Sequence, residues 1–362
     1  MQVIMAVDAL VPPLTGIGRY TWELASRLDS VQDMVPRYLR GNSWVSLDGQ
    51  PTNHVLRKLP RALREWHQHW LGQRAVFHGP NYFVPQWAEN SVATIHDLSV
   101  LKFPETHPIE RIRQFERLFD ESIKRARILL TDSEAVRDEL LSHTGLSPES
   151  VVSVPLGVGS TYRPTDEANW TAMFQGEGLS FKRYVLCVST LEPRKNLDRV
   201  LAAYRYMPDA TRRAFPLVIA GAEGWAGDAL HNALDDAERE GWLRRLGYVH
   251  ESRLSTLMAG AALFAFPSRY EGFGLPMVEA MACGVPVISA DIRVLREVSL
   301  GMVNYVNPDD VEAFASLIQH CLEDADVGRS AQASVKRVID TYSWDVCFER
   351  TAEIYRYVSS LG

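Results

Sequence analysis

Short apolar runs and amphipathic helical patterns alternate along the whole chain. Each apolar run is three to six residues long, which is the length of a buried strand. Strands that alternate with helices form parallel sheets through crossover connections, so the pattern predicts an α/β fold. The predicted strands are Val3–Val7, Val76–His78, Val92–Ile95, Ile128–Thr131, Val151–Val154, Tyr184–Ser189, Leu217–Ala220, Leu263–Phe266 and Val285–Ser289.

The alternation lapses between Gly159 and Arg183, where the residues are mostly polar. Such a stretch is typical of a connection between domains, and we place the boundary near residue 172. The chain would then form a first domain at residues 1–172 and a second at residues 173–342. A last amphipathic segment, Trp344 to Tyr357, could pack on either half.

Length and composition agree with two domains and exclude several classes of protein. The 362 residues exceed what one hydrophobic core usually organises, at about 150 residues per domain. Hydrophobic residues make up 46% of the chain, which excludes wholesale disorder. The net charge of −7 disfavours a protein that binds nucleic acid by neutralising phosphates along a groove.

Cysteine spacing and the amino end indicate a cytoplasmic location. The four cysteines are far apart and form no Cys-x-x-Cys pair, so neither a zinc site nor a disulfide framework is predicted. The first residues lack a basic leader and resemble a strand instead of a signal peptide. No apolar run approaches the roughly 18 to 20 residues that span a bilayer.

The motif from Pro267 to Val287 has the sequence PSRYEGFGLPMVEAMACGVPV and follows a predicted strand. Gly272 and Gly274 permit a close approach of the backbone to a ligand, and the helix after them presents N–H groups to a phosphate. Glu271 in the loop and Glu279, which we place in the first turn of the helix, can each accept hydrogen bonds from a sugar. The alternative is a loop acid and a helix-capping acid that bind no ligand.

Arg194 and Lys195 follow the predicted strand Tyr184–Ser189 and precede an amphipathic helix that begins near Leu197. Two adjacent cations at this position suit a diphosphate. A solvated pair of cations is the alternative, although positive charges oppose the positive end of a helix.

Gly16 and Gly18 follow the first predicted strand and open a helix over Tyr20–Leu28. A dinucleotide-binding fingerprint would need a third glycine, which this loop lacks, so an NAD-binding domain is disfavoured. The two glycines still allow the backbone to come close to a ligand.

His96 and Asp97 directly follow the predicted strand Val92–Ile95. They could form a catalytic dyad, or they could be a buried histidine beside a helix-capping acid. His78 ends another predicted strand of the same half, Val76–His78, and could line a binding site or belong to the core.

Glu271 and Glu279, with seven residues between them in EGFGLPxxEAMAxGxPVI, resemble the signature of glycosyltransferase family 4. These are retaining enzymes of GT-B fold, with two Rossmann-like domains that face each other across a cleft. The resemblance covers nearly the whole chain in the family's order. Its other motifs are TGIGRY at 15–20, TLEPRKN at 190–196, IAG at 219–221 and GYV at 247–249.

The resemblance implies a role for each half. Residues 173–342 would bind the nucleotide sugar, residues 1–172 would receive the acceptor, and a final helix at 343–362 would cross back to the first domain. Arg194 and Lys195 would neutralise the leaving diphosphate, where charge develops as the glycosidic bond breaks. Glu271 would hold sugar hydroxyls and Glu279 the ribose. The other implied donor-binding residues are Gly16, Gly18, Thr190, Gly221, Val249, Gly272, Phe273, Gly274 and Leu275.

Similar family members place a histidine at the position of His96, where it contacts the transferred sugar. His96 therefore joins Arg194, Lys195 and Glu271 as an implied catalytic residue. The GIGRY and HDL motifs resemble those of bacterial mannosyl- and rhamnosyltransferases of surface polysaccharide assembly. This likeness implies GDP-mannose or GDP-rhamnose as donor and a glycan or lipid-linked oligosaccharide as acceptor.

We expect no metal and no other cofactor, because the chain offers no credible spacing of metal ligands. The sequence Asp324-Ala-Asp326 has the form of a metal-binding Asp-x-Asp in another glycosyltransferase fold. Its acidic, helix-ending context favours solvated surface instead.

The segment 57–74 holds five Arg or Lys against one Glu, in a chain that is acidic as a whole. Apolar residues at 62, 63, 66 and 70 fall at helical spacing, as in a helix that lies on a membrane surface. We therefore expect peripheral attachment to an anionic membrane, at the inner face of the cytoplasmic membrane. The alternative is that this apolar face packs into the domain core.

Three other functions fit parts of the pattern. A phosphorylase or sucrose synthase-type enzyme of the same fold would use the same carboxyl half, and products formed with inorganic phosphate would distinguish it. An NAD-dependent oxidoreductase would be stabilised by NAD and not by a nucleotide sugar. A non-catalytic nucleotide-sugar sensor would bind the donor without turnover.

Overall fold

The predicted alternation of strands and helices is present in the computed structural model, which describes residues 1–12, 14–50, 52 and 70–361. The chain divides into two compact units, each built on one sheet. The first comprises Met1–Val100, Ile109–Gly157 and Trp344–Gly362, and the second comprises Leu101–Pro108 and Val158–Ser343. The expected α/β class with parallel sheets is confirmed.

The described strands of the first unit share one sheet and are β1 (Gln2–Ala6), β2 (Val35–Arg40), β3 (Ser43–Val45), β4 (Ala75–Gly79), β5 (Ser91–Ile95), β6 (Ile128–Thr131) and β7 (Val151–Ser153). Their order is β3-β2-β1-β4-β5-β6-β7. Neighbouring strands are parallel except β2 and β3, which are antiparallel. The carboxyl ends of β4, β5 and β6 therefore meet at one edge of the sheet.

The described strands of the second unit also share one sheet and are β8 (Val185–Val188), β9 (Leu217–Ala220), β10 (Leu243–Gly247), β11 (Leu263–Phe266), β12 (Val287–Ala290) and β13 (Asn304–Val306). Their order is β10-β9-β8-β11-β12-β13, and every pair is parallel. This is the order of the doubly wound nucleotide-binding fold.

The described α-helices connect these strands and are α1 (Gly16–Leu28), α2 (Ser99–Lys102), α3 (Ile109–Arg125), α4 (Glu134–Thr144), α5 (Glu167–Phe174), α6 (Leu197–Tyr206), α7 (Asp209–Ala214), α8 (Asp228–Arg239), α9 (Glu251–Ala259), α10 (Leu275–Ala282), α11 (Arg293–Val298), α12 (Val311–Glu323), α13 (Ala325–Thr341) and α14 (Trp344–Ser360). Short 3-10 turns lie at Pro104–Thr106, Pro148–Ser150 and Pro193–Lys195. Residues 70–74 are also helical.

The core of the second unit fixes the helix that follows β8. Leu197, Val200, Leu201 and Tyr204 occupy one face of α6 and are all buried. Their spacing of three and four residues is what an amphipathic helix needs to cover a sheet. Because α6 is held in this way, the turn between β8 and α6 has a fixed position.

The boundary between the units lies between Gly157 and Val158, about 15 residues before the predicted position near residue 172. Residue 172 falls inside α5, whose Trp170 and Phe174 are buried in the second unit. The indole N–H of Trp170 donates to the hydroxyl of Tyr184 at 3.1 Å. The polar sequence suggested a connection, but it contains a helix that packs on the second unit.

Membrane contact stays a prediction. Most of the basic segment 57–74 lies outside the described residues, and only 70–74 are described. There the guanidinium of Arg74 lies 4.7 Å from the ring centroid of Trp70. Among the described residues, none of the helices has the length and apolar character to cross a bilayer.

Candidate active site

The candidate site of the second unit lies at the carboxyl edge of its sheet, between β8 and β11. The strand order reverses there, with β9 and β10 on one side and β12 and β13 on the other. Ligands of open parallel sheets bind at such a switch point, because the loops after the two central strands lead in opposite directions. Here these loops are residues 189–196 and 267–274.

Two basic and two acidic side chains meet between these loops. The Lys195 ammonium donates to Glu271 Oε1 at 2.7 Å. The Arg194 guanidinium donates from Nε to Glu192 Oε2 at 2.9 Å and lies 3.5 Å from Glu271 Oε2. All four side chains are at most 14% exposed. Their charges cancel, so the cations are held in place without a ligand.

Glu271 is ionised in this setting. Burial alone would raise the pKa of its carboxyl group, because a low-dielectric environment disfavours the charge. The charges of Lys195 and Arg194 outweigh burial and hold the pKa below its ordinary value. Glu271 is therefore an acceptor at neutral pH, as a contact with sugar hydroxyls requires.

Backbone contacts tie the two loops together beside the charges. The backbone N–H of Arg269 donates to the carbonyl of Arg194 at 2.9 Å. In return, Arg194 Nη1 donates to the carbonyl of Tyr270 at 3.3 Å. Tyr270, directly before Glu271, therefore has its position fixed by residues 189–196, which we call the basic loop.

Asn196 is a part of the site that the sequence motif contained without a predicted role. It adopts the left-handed region at φ 60°, which asparagine tolerates better than most residues. Its side-chain Nδ2 donates to the carbonyls of Pro267 at 3.2 Å and Pro308 at 2.9 Å. Asn196 thus joins the loop after β8 to the loop after β11.

The glycine-rich loop enters α10 in a conformation that only glycine adopts easily. Gly274 has φ 92°, and a Cβ there would lie 2.6 Å from Leu295 Cδ2. α10 begins at Leu275, directly after this residue. The ring of Phe273 is buried and packs edge-on against Tyr342 at 5.4 Å, so only the backbone of Phe273 is placed to serve a ligand.

The predicted position of Glu279 in the first turn of the helix is wrong. Glu279 is the fifth residue of α10, one turn beyond its start, and is 6% exposed. The helix begins at Leu275 because Gly274 already turns the chain into it. Glu279 therefore does not cap the helix.

Thr190, Gly221 and Val249 follow β8, β9 and β10, whose carboxyl ends share one edge of the sheet. The backbone N–H of Gly221 donates to the carbonyl of Gly247 at 2.8 Å. A Cβ on Gly221 would lie 1.9 Å from Ser189 O. The structure thus brings these three predicted donor-binding residues to one edge, and Gly221 is required for packing there.

The segment Leu101–Pro108, which lies between β5 and α3 in the sequence, belongs to the second unit. Its Phe103 ring lies 5.3 Å from the ring of Tyr270 in the loop after β11. Its Thr106 carbonyl accepts the indole N–H of Trp225 in the loop after β9. The first half of the sequence therefore supports two loops of this site.

In the first unit, Gly16 and Gly18 lie inside the first turn of α1 and not in a loop before it. A Cβ on Gly18 would lie 2.8 Å from Ala9 O, so this glycine allows the chain after β1 to pack closely on the helix. A Cβ on Gly16 would meet nothing within 4 Å. Of the two, only Gly18 is required for packing.

His96 does not pair with its sequence neighbour. Its Nδ1 lies 2.7 Å from Asp132 Oδ2, and its Nε2 lies 2.9 Å from the carbonyl of Pro80. The Asp97 carboxylate instead accepts the backbone N–H of Ser99 at 2.8 Å. The catalytic dyad of His96 and Asp97 is therefore wrong, and Asp97 has the alternative role of capping a turn.

His78 is a core residue. It is fully buried, with Nδ1 at 2.6 Å from Tyr355 Oη and Nε2 at 2.8 Å from Thr94 Oγ1. Burial lowers the pKa of His78 to about 3, so the ring is neutral. Because Tyr355 belongs to α14, this bond attaches the last helix to the sheet of the first unit.

Within the described ranges, no group of three or more His, Cys, Asp or Glu side chains is arranged to hold a metal ion. Asp324 Oδ1 accepts the backbone N–H of Asp326 at 2.8 Å, at the start of α13. This acidic pair begins a helix, and Asp326 is paired with Arg329 in addition.

Asp132 contacts His96 and Glu192 contacts Arg194, but neither residue had a role predicted from the sequence. Asp132 directly follows β6, a strand that was predicted, and β6 is the neighbour of β5. Neighbouring parallel strands have their carboxyl ends side by side. The positions of His96 after β5 and Asp132 after β6 could therefore have predicted their contact. For Glu192, the only signal in the sequence was that an acidic residue lies two positions before Arg194.

Sequence comparisons place the chain among sugar-transferring enzymes. A family model described as glycosyl transferases group 1 matches residues 171–337. The O-antigen chain mannosyltransferase B of Escherichia coli is 35% identical over 381 residues, which cover 98% of this chain and 100% of that protein. The serotype-specific mannosyltransferase WbdA of Escherichia coli is 27% identical over 277 residues, 74% of this chain and 34% of that protein.

Comparison with solved structures agrees on the fold. WaaG, a glycosyltransferase involved in lipopolysaccharide biosynthesis, superimposes with a TM-score of 0.72 at 17% identity, over 98% of this chain and 99% of that chain. A likeness at this identity is evidence for the fold alone. It confirms the predicted GT-B architecture.

Proposed function

Because the chain belongs to the glycosyl transferases group 1 family and is a hexosyltransferase of GT-B fold, we propose that it transfers a mannosyl or deoxymannosyl unit, such as rhamnosyl, from a GDP-sugar. The acceptor is a glycan or lipid-linked oligosaccharide of surface polysaccharide assembly, and the anomeric configuration is retained. The relatives support this choice, since two are mannosyltransferases and one of them is an O-antigen chain enzyme.

The observation that carries the proposal is the contact of Glu271 with Lys195 and Arg194 at the switch point of the sheet. A nucleotide sugar presents hydroxyl groups on one side of the scissile bond and a diphosphate on the other. An ionised carboxylate accepts from hydroxyls, while an ammonium and a guanidinium donate to phosphate oxygens. The cluster supplies both kinds of group within 4 Å of each other.

The basic residues act when the glycosidic bond breaks. Negative charge then develops on the leaving GDP, and Lys195 and Arg194 stabilise it more strongly than they stabilise the intact donor. We assign no protein nucleophile. The acceptor hydroxyl attacks the face that the diphosphate leaves, and a phosphate oxygen takes its proton.

Other donor contacts follow from the predicted residues. Glu279 binds the ribose, and Val249 with its neighbours contacts the nucleotide base. The backbone of Gly272–Gly274 binds the hydroxyls of the transferred sugar. In the first unit, His96 contacts the transferred sugar, and Gly16 and Gly18 bring the start of α1 to the donor.

The proposal is tested by a panel of nucleotide ligands in a thermal unfolding experiment, followed by a transfer assay. GDP-mannose or GDP-rhamnose should raise the unfolding temperature with increasing concentration, because a ligand that binds only the native state stabilises it. NMR of the product should then show the anomeric configuration of the donor.

Three results would contradict this function. Stabilisation by NAD and not by any nucleotide sugar would point to an oxidoreductase. Formation of a sugar phosphate from inorganic phosphate would identify a phosphorylase. If the protein binds the donor but releases no GDP with any glycan acceptor, it is a non-catalytic nucleotide-sugar sensor.

Replacing Glu279 with alanine is expected to raise the KM for the donor about tenfold while changing kcat less than about threefold. Ribose contacts are nearly the same in the ground state and the transition state, so their loss weakens binding uniformly. Steady-state kinetics with varied donor measure both constants. Glu279→Gln keeps a hydrogen-bond acceptor, so its KM should lie between those of the wild-type protein and Glu279→Ala. An unchanged KM in Glu279→Ala would mean that Glu279 does not bind the donor.

Activity is expected to survive EDTA, because Lys195 and Arg194 supply the positive charge that a metal ion would bring to the diphosphate. Initial rates are compared with and without chelator after gel filtration. A loss of activity that magnesium or manganese restores would contradict the metal-free mechanism.

A further inference from the structure

We infer that Asp132 is a positioning residue for His96, which it orients and keeps doubly protonated for the transfer reaction. The inference rests on the proposed function only in the role of His96 at the transferred sugar. The pairing itself stands on geometry in the first unit.

The imidazole of His96 is held at both nitrogens. Nδ1 lies 2.7 Å from Asp132 Oδ2 and Nε2 lies 2.9 Å from the carbonyl oxygen of Pro80. The ring of Tyr20 stands perpendicular to the imidazole at a centroid distance of 4.9 Å. The Tyr20 hydroxyl is itself fixed by Thr94 Oγ1 at 2.9 Å. The imidazole therefore cannot rotate without breaking these contacts.

The two bonds determine the protonation of the ring. A carbonyl oxygen can only accept, so Nε2 must carry a proton. The short contact between Nδ1 and Asp132 Oδ2 also holds one proton, which we place on Nδ1. Burial raises the pKa of Asp132, but the charge and hydrogen bond of His96 oppose this, and the pair is then an ionised Asp132 beside a doubly protonated His96. Burial lowers the pKa of His96, but the charge and hydrogen bond of Asp132 outweigh burial and raise it above its ordinary value.

The charged groups around the ring favour the same state. Asp132 is 3% exposed, and its Oδ1 is buried without a hydrogen-bond partner in the described part of the chain. Its charge is therefore balanced mainly by His96. Asp97 adds a weaker negative charge, which also favours the protonated ring of His96. His78 is neutral, so it adds no positive charge that would oppose this protonation.

This arrangement limits what His96 can do for a ligand. Both N–H groups are consumed within the protein, and only 10% of the side chain is exposed. His96 therefore offers a fixed positive charge to an oxygen of the substrate and not a hydrogen bond from a ring nitrogen. Without Asp132, the buried ring would become neutral near pH 7 and this charge would be lost.

The protonation state is measured directly by NMR of protein labelled with ¹⁵N-histidine, in which the His96 signals among the ten histidines are assigned with a His96→Gln variant. In the wild-type protein, both His96 nitrogens should be protonated at pH 7, where an ordinary imidazole is mostly neutral. This NMR measurement does not depend on enzymatic activity, and His96→Gln is the only variant that it uses. A neutral His96 at pH 7 in the wild-type protein would overturn the inference.

The coupling to the reaction is measured with Asp132→Asn. We expect a neutral His96 near pH 7 and a kcat lower by about tenfold or more, with partial recovery as the pH falls and the ring regains its proton. Asp97→Asn is the matched control, because it removes a carboxylate next to His96 in sequence, while both ring nitrogens of His96 bond to Asp132 and Pro80 instead. Because Asp97 adds only a weaker negative charge, its loss should shift the His96 signals and the pH profile far less than Asp132→Asn does.

Two results of this experiment would overturn the inference. One is a wild-type rate in Asp132→Asn. The other is a reduced rate that does not depend on pH while His96 keeps both protons, which would mean a purely structural role. If neither wild-type protein nor variants turn over any donor while the NMR result holds, the proposed function fails and the pairing stands.

Discussion

Replacing Lys195 with alanine is expected to lower kcat about 100-fold to 1000-fold, the effect of removing one preorganised donor from a site of developing negative charge. The KM for the donor should rise much less, since the diphosphate gains charge only as it leaves. Arg194→Ala should behave similarly, because its guanidinium lies beside the same carboxylate at 3.5 Å. Steady-state kinetics with varied donor separate the two constants.

Arg269→Ala is a suitable control for both variants. Arg269 lies in the same loop as Glu271, but its side chain is 41% exposed and pairs with Asp309. Its backbone N–H bonds to the Arg194 carbonyl, whereas its guanidinium pairs with Asp309, so removing this cation should leave kcat within about twofold of the wild-type value. If Lys195→Ala and Arg194→Ala raise only KM, the two residues bind the donor and do not act on the leaving group.

The central strands of both sheets were predictable from the sequence, and all nine predicted strands are present. Most of them are buried along their whole length, so their residues are mainly apolar. The missed strands are β2, β3, β10 and β13, which lie at or next to a sheet edge. β10 contains Arg244 and Arg245, whose polar side chains hide the strand pattern because an edge strand reaches water.

The charged part of the site was also predictable, because it depends on local sequence. Arg194, Lys195 and Glu271 each follow a predicted strand, and the carboxyl ends of parallel strands lie at one edge. The partners of His96 and Asn196 depend instead on which strands are neighbours. The neighbouring position in the sequence suggested Asp97 as the partner of His96. In the structure the partner is Asp132, which directly follows the adjacent strand β6.

Gly221 has a packing role that the sequence motif alone does not reveal. Resemblance assigned it to donor binding, but its missing side chain has a packing role in the protein itself. It has φ 155°, and a Cβ would lie 1.9 Å from Ser189 O and 2.6 Å from Ser189 C. These are backbone atoms of the loop after β8, so they cannot move aside as a flexible side chain would.

Gly221→Ala is therefore expected to reduce the free energy of unfolding by about 3 kcal/mol or more, since it combines a backbone clash with an unfavourable φ. A change of that size lowers the unfolding temperature of a unit of this length by roughly 6 to 12 °C. Displacement of Ser189 would also shift the basic loop, so the remaining folded protein should have a lower kcat. Urea denaturation and thermal unfolding measure the stability, and initial rates below the transition measure the activity.

Gly227→Ala separates this effect from the general cost of replacing a glycine. Gly227 precedes α8 at φ −74°, and a Cβ there would meet nothing within 4 Å. Its substitution should change the free energy of unfolding by less than about 1 kcal/mol, because alanine is only a poorer helix cap than glycine. If Gly221→Ala is as stable as Gly227→Ala but binds donor weakly, the glycine serves the ligand, and the contact with Ser189 does not limit the fold.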